Sequence, residues 1–244
     1  MKIKSILIAS TIAFILLFYP NLAQANTDIR IIVNFAYLNT DVNPMIESDY
    51  CLIPLRALSE EIGFNVEWDD KEQKINIYKE SDRMSFQIGN TIVVKNGKSE
   101  LLPIAPRIVN DRTMVPLRYI SECFGKKVKY GEMNGDQNIW ITDFDILNEN
   151  DVEINDNYYM VTNDPVPYYR QRDNAATSRG IKIGDKLITV KDIYGIPRRV
   201  YNMANGNIRL TYISKYIPNT GLGSSLYFEF KDDVLISVEL DPPN

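Results

Sequence analysis

Strands are predicted wherever apolar and polar positions alternate along the chain. Towards the C-terminal end, the strings "IRLTYI", "SLYFEF" and "VLISVEL" follow one another, with turn-forming residues before the last of them. Alternation over runs of this length is typical of half-buried strands, so the three predict an antiparallel meander. The side chains expected on its buried face are Leu226, Phe228, Phe230, Val234, Ile236, Val238 and Leu240.

The same alternation occurs in the first half of the chain. Val66 and Trp68 alternate with polar residues, and Ile75 and Ile77 do so after the string "DDKEQ". This pattern predicts a hairpin with one buried face. Further on, Asn96-Gly97 is a strong hairpin-turn signal between two apolar runs.

Three short helices are predicted from apolar spacing and from their end signals. In "IPLRALSEEIG", Pro54 stands where a helix tolerates proline, and Gly63 stands where helices stop. The string "VPLRYISECFG" repeats this pattern from Pro116 to Gly125. A third helix is expected between Asp185, which can cap its N-terminus, and Gly195, with Leu187, Val190 and either Tyr194 or Ile193 on its apolar side.

The first two helices belong to an internal repeat. "IPLRALSEEIGFNVEW" from Ile53 and "VPLRYISECFGKKVKY" from Val115 are identical at seven of sixteen positions, at an offset of 62 residues. We therefore predict two pseudo-repeats (29–80 and 90–143) in one domain spanning 29–143, an acidic linker (144–157) and a C-terminal module (158–244). The predicted fold class is α+β: a duplicated strand–helix–hairpin domain followed by a small helix-plus-antiparallel-meander module.

The first 25 residues have the layout of a secretory signal peptide. Lys2 and Lys4 precede an apolar run from Ile6 to Phe18, and Ala23-Gln24-Ala25 supplies small residues for cleavage. A retained anchor would need about 20 apolar residues to cross the membrane. We expect a secreted, extracellular protein with no transmembrane span after signal cleavage; retention on the cell wall and release from it are both open.

Composition excludes several classes of function. The net charge is −5 and no basic stripe occurs, which argues against nucleic acid as a partner. The chain has no histidine, which removes Ser-His-Asp and Cys-His catalysis and the usual ligand of zinc and copper. We expect no cofactor and no enzyme activity.

The two cysteines leave two interpretations open. In an exported protein, Cys51 and Cys123 could form one disulfide, which would close a loop of about 70 residues and contribute ~4 kcal/mol on the chain-entropy model. The alternative is two half-buried thiols. A separation of about 4 Å between the Cβ atoms would favour the disulfide.

The quoted strings together resemble the copper amine oxidase N-terminal-like, or stalk, domain of secreted Gram-positive bacterial proteins. The PLR-helix-Gly-Val-x-Trp string, the Asn-Gly hairpin and "APRIVNDRTMVPLR" occur in that order over residues 30–143. The resemblance implies an α+β accessory module of exported envelope proteins without catalysis. Copper in those oxidases is held by histidines of a separate domain, so the resemblance implies neither copper nor oxidase activity here.

The C-terminal part is more weakly similar to envelope modules of the outer-membrane lipoprotein and β-lactamase-inhibitor-protein type. The similarity lies in Gly180-Ile181-Lys182-Ile183-Gly184 and continues through Val190 to Tyr194-Gly195-Ile196-Pro197. Leu187 departs from the pattern, which often has Ser or Thr at this position. The similarity implies a module that binds other proteins or serves envelope assembly.

The repeated PLR string has a functional and a structural interpretation. Arg56 and Arg118 could clamp a carboxylate or phosphate. Alternatively, each arginine ties its helix to nearby carbonyls or to Glu60 and Glu122, and recurrence in both copies favours this structural role. The residues we predict as structural are Pro54, Leu55, Arg56, Gly63, Trp68, Pro116, Leu117, Arg118 and Gly125.

Two tyrosine pairs are the candidate ligand contacts. Tyr158, Tyr159, Tyr168 and Tyr169 come from a chain with fifteen tyrosines, and aromatic faces suit sugar rings or partner side chains. The alternative is that each pair places one ring in the core and one on the surface. The acidic runs at Asp69-Asp70 and at 143–156 match no calcium-binding loop and predict solvated turns.

The leading hypothesis is a secreted, non-catalytic envelope protein. A stalk-like scaffold would carry a C-terminal module that binds an envelope protein or a cell-wall polymer. One alternative is an extracellular hydrolase, or a hydrolase accessory, that uses carboxylates. A second is an inhibitor-like module that acts on a secreted enzyme.

Overall fold

The computed structural model describes residues 28–133, 135–162, 168–214 and 223–241. The predicted signal peptide lies outside these residues. The prediction of an α+β fold is wrong, because the described chain is mostly β, with 48% strand and 13% helix. The helices are two-turn connectors rather than a layer of their own. They are α1 (Leu55–Ile62), α2 (Leu117–Cys123), α3 (Leu187–Tyr194) and a 3-10 turn (Glu149–Val152).

The first unit is built from three sheets around one core. Its strands are β1 (Ile29–Val33), β2 (Ala36–Tyr37), β3 (Met45–Glu47), β4 (Tyr50–Pro54), β5 (Asn65–Asp69), β6 (Lys74–Lys79), β7 (Asp82–Gln87), β8 (Ile92–Lys95), β9 (Lys98–Leu101), β10 (Arg107–Val109), β11 (Arg112–Pro116), β12 (Lys127–Met133) and β13 (Asp136–Thr142). The sheet orders are β12-β13-β1-β2, β10-β11-β4-β3 and β5-β6-β7-β8-β9. Apart from the parallel pair β1–β13, the neighbouring strands are antiparallel.

The two PLR strings meet at the centre of the first unit. Hairpins β3–β4 and β10–β11 begin and end 62 residues apart, and β4 pairs with β11 so that Ile53 lies opposite Val115. Pro54 and Leu52 lie opposite Met114 and Pro116, which makes the pairing symmetric about that central pair. Each helix packs against the strand of the other string, α1 on β11 and α2 on β4.

Only one strand of the hairpin β5–β6 has the buried side chains that the sequence predicts. Ile75 and Ile77 are 2% and 1% exposed, as expected for the buried face. Val66 and Trp68 lie opposite them but are 38% and 44% exposed. The reason is position, because β5 is the outer strand of its sheet. Alternation predicted correctly that these side chains share a face. Val66 and Trp68 are nevertheless exposed, because β5 lies at the edge of its sheet.

The C-terminal unit is one six-stranded antiparallel sheet with α3 on one face. Its order is β14-β15-β19-β18-β17-β16. Tyr194 of α3 packs on Tyr212 and Phe228, with ring centroids 5.5 and 4.9 Å apart. The strands are β14 (Tyr158–Val161), β15 (Tyr168–Gln171), β16 (Arg199–Asn202), β17 (Ile208–Ile213), β18 (Ser225–Lys231) and β19 (Val234–Asp241).

The predicted alignment of side chains in β19 is wrong at its start. Val234 and Ile236 are exposed, whereas Leu235 is fully buried, as is Val238. The pairing with β18 shifts between Glu229 and Phe230, which places an extra residue in β19. Such a bulge reverses the side-chain direction along the strand.

The acidic segment 144–157, predicted as a linker, packs against the second unit. Leu147 and Val152 belong to the core of that unit, and Ile146 forms a bridge with Ile213. The acidic residues of this segment do not prevent the packing, because Asp151, the one that lies deepest, is paired with Arg179. Among the described residues, no helix is long and apolar enough to cross a membrane.

Candidate functional site

The sheet of the C-terminal unit has one face that α3 leaves uncovered. Residues directly opposite each other in antiparallel strands share a face. The pairings Tyr159–Arg170, Arg170–Glu239, Glu239–Tyr227 and Tyr227–Thr211 therefore form one row across the sheet, opposite to the face of α3. A neighbouring row runs through Glu229, Arg209 and Tyr201.

The structure divides the four candidate tyrosines between the two faces. Tyr158 is 6% exposed and belongs to the core, and Tyr169 packs against the same core. Tyr159 and Tyr168 lie on the uncovered face, since Tyr159 is opposite Arg170 and Tyr168 is two residues before it. Each pair thus places one ring inside and one outside, because successive side chains of a strand point to opposite faces.

Every tyrosine of the uncovered face is accompanied by an arginine. The Cζ atoms of Arg172, Arg170 and Arg209 lie 5.7, 5.6 and 5.6 Å from the ring centroids of Tyr159, Tyr168 and Tyr227. Arg199 Nη1 donates to the Tyr201 hydroxyl over 2.9 Å. We call this surface the tyrosine–arginine face; it consists of Tyr159, Tyr168, Tyr201, Tyr227, Arg170, Arg172, Arg199 and Arg209.

An ion-pair network holds the centre of this face in place. Arg170 Nη2 lies 2.8 Å from Glu239 Oε1, and Arg209 Nη2 lies 3.3 Å from Glu239 Oε2 and 2.9 Å from Glu229 Oε2. Burial raises the pKa of the Glu229 carboxyl, but hydrogen bonds from Asn207 and Arg209 outweigh burial and leave that pKa below its usual value. The hydrogen bond to Glu239 raises the pKa of Arg170. Glu229 and Arg170 are therefore ionised at neutral pH, which favours their ion pairs.

Of the tyrosine–arginine face, the sequence predicted only Tyr159 and Tyr168. Tyr201 and Tyr227 lie on β16 and β18, and the four arginines lie on β15, β16 and β17 or, for Arg172, directly after β15. Alternation within each strand indicates which residues share a face, but only the strand order brings Arg170 next to Glu239, 69 residues later.

The first unit carries a second concave surface. A groove of about 800 Å³ lies between hairpin β3–β4, α2 and β12. Its walls include the exposed side chains of Ile46, Tyr50, Leu101 and Tyr130. The groove is mainly apolar, and Arg118 and Glu122 stand at its rim as an ion pair of 3.4 Å.

The two PLR arginines differ in their contacts. Arg118 Nη1 donates to the Val128 carbonyl over 3.0 Å and thereby ties α2 to β12. Arg56 is exposed, and within the described ranges its guanidinium makes no hydrogen bond or ion pair. Of the other predicted structural residues, Leu55 and Leu117 are buried, and Pro54 and Pro116 end the paired strands β4 and β11. Gly63 and Gly125 have positive φ angles of 77° and 76° at the ends of α1 and α2.

Both cysteines are free thiols in the structure, so the disulfide interpretation does not describe it. Burial raises the pKa of the Cys51 thiol to about 12 and also raises that of Cys123. A thiol with a raised pKa is a poor nucleophile at neutral pH, because the thiolate is the reactive form.

The acidic runs build local structure where the chain is described. Asp69 Oδ1 accepts the backbone N–H groups of Lys71 and Glu72, and Asp70 accepts the indole N–H of Trp68. Asp151 accepts two hydrogen bonds from Arg179 and one from Ser178. In the part of the chain that the structure covers, no three metal-ligating side chains of the His, Cys, Asp or Glu types come together.

Comparison with known proteins found a family model that matches part of the chain. The family model described as copper amine oxidase N-terminal domain matches residues 32–139, which confirms the predicted resemblance over that range. The domain that this family model describes is a non-catalytic, stalk-like domain. The match covers less than half of the chain and does not include the tyrosine–arginine face. A search of curated proteins found no match. The weaker similarity of the C-terminal part to envelope modules stays a prediction.

Proposed function

We propose that this protein is an exported, non-catalytic accessory protein of the cell envelope. The first unit serves as the scaffold, and the C-terminal unit binds a partner protein through the tyrosine–arginine face. The stalk-like character of the matched domain supports the scaffold role. The signal-peptide pattern of residues 1–25 supports export, and the lack of histidine supports a non-catalytic role.

The observation that carries this proposal is the pairing of four tyrosines with four arginines on one uncovered face. Tyrosine and arginine are the residue types enriched at the centres of protein interfaces, where they carry much of the binding free energy. The guanidinium contacts and the Glu229–Arg209–Glu239 network restrict these side chains before binding. Association then costs less conformational entropy.

The hydrolase alternative receives less support from the same face. A general acid must carry a proton, whereas Glu229, at the centre of the face, is paired with Arg209 and its carboxyl pKa is lowered. We also propose that the first unit arose by duplication. The equal spacing of hairpins β3–β4 and β10–β11 and their symmetric pairing support this origin.

The test is capture of a partner from an envelope extract with the purified, tagged protein. We expect one or more proteins to be retained by the wild type and lost with the double variant Tyr159→Ala/Tyr201→Ala. Both rings are about 40% exposed and lie on outer strands, so their removal spares the core.

The matched control is Tyr78→Ala. Tyr78 also carries an arginine, Arg83, with its Cζ atom 5.2 Å from the ring centroid, but it lies in the first unit. Capture that is equal for wild type, double variant and control would overturn the proposal. Parallel co-sedimentation with purified cell wall separates the other candidate, because wall binding that survives in the double variant assigns binding to another surface.

A further inference from the structure

We propose that the tyrosine–arginine face receives an acidic segment of its partner, whose Asp or Glu carboxylates bind the exposed guanidinium groups. This inference rests on the proposed function and adds the chemistry of the partner. It is carried by four observations: the depth of the charged groups, the unused donors of the arginines, the charge of this face relative to the whole chain, and the width of the face.

The acidic groups of the face lie deeper than the basic ones. The side chain of Arg170 is 41% exposed, whereas that of its partner Glu239 is 11% exposed. The side chain of Arg209 is 27% exposed, against 14% for Glu229. Because the carboxylates are covered and the guanidinium groups reach solvent, the face presents positive charge outward.

The arginines retain donors after making these contacts. Arg170 uses Nη2 for both the Tyr168 hydroxyl and Glu239, and Arg209 uses Nη2 for Glu229 and Glu239. Among the described residues, Nη1 of neither side chain has a hydrogen-bond partner. A guanidinium carries five N–H groups in a fork that matches a carboxylate. These donors are oriented before any ligand binds.

The charge of the face opposes that of the chain. The net charge of the sequence is −5, yet the face carries four arginines against the carboxyls of Glu229, Glu239 and Asp241. An acidic partner is repelled by the rest of the molecule and attracted here, which favours one docking orientation.

The shape of the face favours a protein segment over a narrow polymer chain. The rings of the face stand on four strands, from β14 at one edge to β16 at the other. With neighbouring strands about 4.8 Å apart, they span roughly 24 Å. A folded protein or an extended acidic peptide laid across the strands contacts several tyrosines at once.

The test measures fluorescence anisotropy of a labelled peptide, Glu-Asp-Tyr-Glu-Leu-Asp-Glu, and of the matched peptide in which every acid is replaced by its amide. We expect the wild type to bind the acidic peptide about tenfold more tightly at low salt. We also expect this preference to shrink as ionic strength rises, because exposed charges are screened.

The variants use arginines that bear no ion pair, so that no buried carboxylate is left alone. Arg172 donates to the Asp156 carbonyl and Arg199 to the Tyr201 hydroxyl. The double variant Arg172→Gln/Arg199→Gln is expected to weaken binding of the acidic peptide about tenfold. This is the upper end of the effect that the loss of two exposed charge contacts produces. Arg83→Gln, at the arginine–tyrosine pair of the first unit, is expected to leave it unchanged.

Equal binding of the two peptides, or no binding of the acidic one, would overturn the inference. Competition by sodium polyphosphate that exceeds the competition by the acidic peptide would assign the face to a phosphate polymer instead, which also overturns it. Capture from the extract that depends on Tyr159 and Tyr201 but not on Arg172 and Arg199 would remove this inference and leave the proposed function standing.

Discussion

Asp151 shows how one side chain joins the acidic segment to the second unit. It is 6% exposed, and both of its carboxylate oxygens accept hydrogen bonds from Arg179, through Nε at 2.9 Å and through Nη2 at 2.5 Å. Asp151 also accepts the backbone N–H of Asn148 and thereby caps the 3-10 turn. The Arg179 guanidinium in turn lies over Tyr194, with 4.8 Å between Cζ and the ring centroid.

Replacing Asp151 by Asn is expected to lower the free energy of unfolding by about 3 kcal/mol, because Arg179 loses its partner in a largely buried place. Thermal unfolding of both proteins at pH 7, followed by circular dichroism, measures this. A loss below about 0.5 kcal/mol would show that solvent replaces the ion pair.

The same pair predicts a pH dependence. Burial raises the pKa of Asp151, but its hydrogen bonds outweigh burial, so the folded pKa lies below the ordinary value of 3.8. A lowered folded pKa stabilises the protein above the unfolded pKa, and this stabilisation is lost as the pH falls through the folded value. We expect the difference in melting temperature between wild type and Asp151→Asn to be constant from pH 7 to about 5 and to shrink below pH 4. A constant difference down to pH 2 would contradict this assignment.

At the scale of structural elements, the equivalent arginines of the two PLR helices, Arg56 and Arg118, have different contacts. Arg118 bonds to the Val128 carbonyl, whereas Arg56 has no such contact in the described chain. Arg118→Ala is expected to cost about 1 kcal/mol of unfolding free energy, and Arg56→Ala less than about 0.5 kcal/mol. Chemical denaturation of the two variants gives both values. Equal losses would restore the prediction of one shared role.

The end of α3 depends on a glycine in a way that the end of α1 does not. Gly195 has φ 78° and ψ −146°, and a Cβ atom there would overlap the Asp145 carboxylate. Gly63 has φ 77° and ψ 45°, with open space around the position of a Cβ atom. The two glycines therefore differ in backbone region and in surroundings.

We expect Gly195→Ala to cost about 3 kcal/mol and Gly63→Ala about 1 kcal/mol, because only the first adds a clash to an almost glycine-specific conformation. Melting temperatures from differential scanning fluorimetry rank the two variants. The reverse ranking would mean that the contact between Gly195 and Asp145 is not tight.

At the scale of the whole molecule, the two units meet through a specific junction. Asp145 donates its backbone N–H to the Ile196 carbonyl over 2.9 Å, and its side chain accepts the Ile196 N–H over 2.8 Å. Phe144 stacks on Phe35 at 5.6 Å between centroids, and the Arg198 guanidinium lies over Phe35 at 4.4 Å. Residues of both units thus share one packed contact.

This junction predicts cooperative unfolding. We expect the wild type to show one calorimetric transition, and Phe144→Ala to show two, because losing the stacked ring costs about 3 kcal/mol and weakens the docking of the units. Phe124→Ala is the control. It breaks the Phe64–Phe124 stack within the first unit and should lower stability without altering how the units are coupled. Two transitions in the wild type would show that the units unfold independently.

Local patterns of the sequence determined much of the local structure and the resemblance of the first unit to the matched family. The strands of the meander, the places of the three helices, and the resemblance of residues 32–139 follow from alternation, from proline and glycine near the helix ends, and from motif order, which depend on near neighbours. Each tyrosine pair also predicted one buried and one exposed ring, since adjacent residues of a strand point to opposite faces.

Only the tertiary structure decided the fold class, the exposure of Trp68 and the composition of the tyrosine–arginine face. Trp68 is exposed because β5 lies at an edge, and edge position is a property of the sheet. Glu239 meets Arg170 and Arg209 because β19 lies between β15 and β18 in the strand order. Such order arises from pairing between distant segments, which no local pattern encodes.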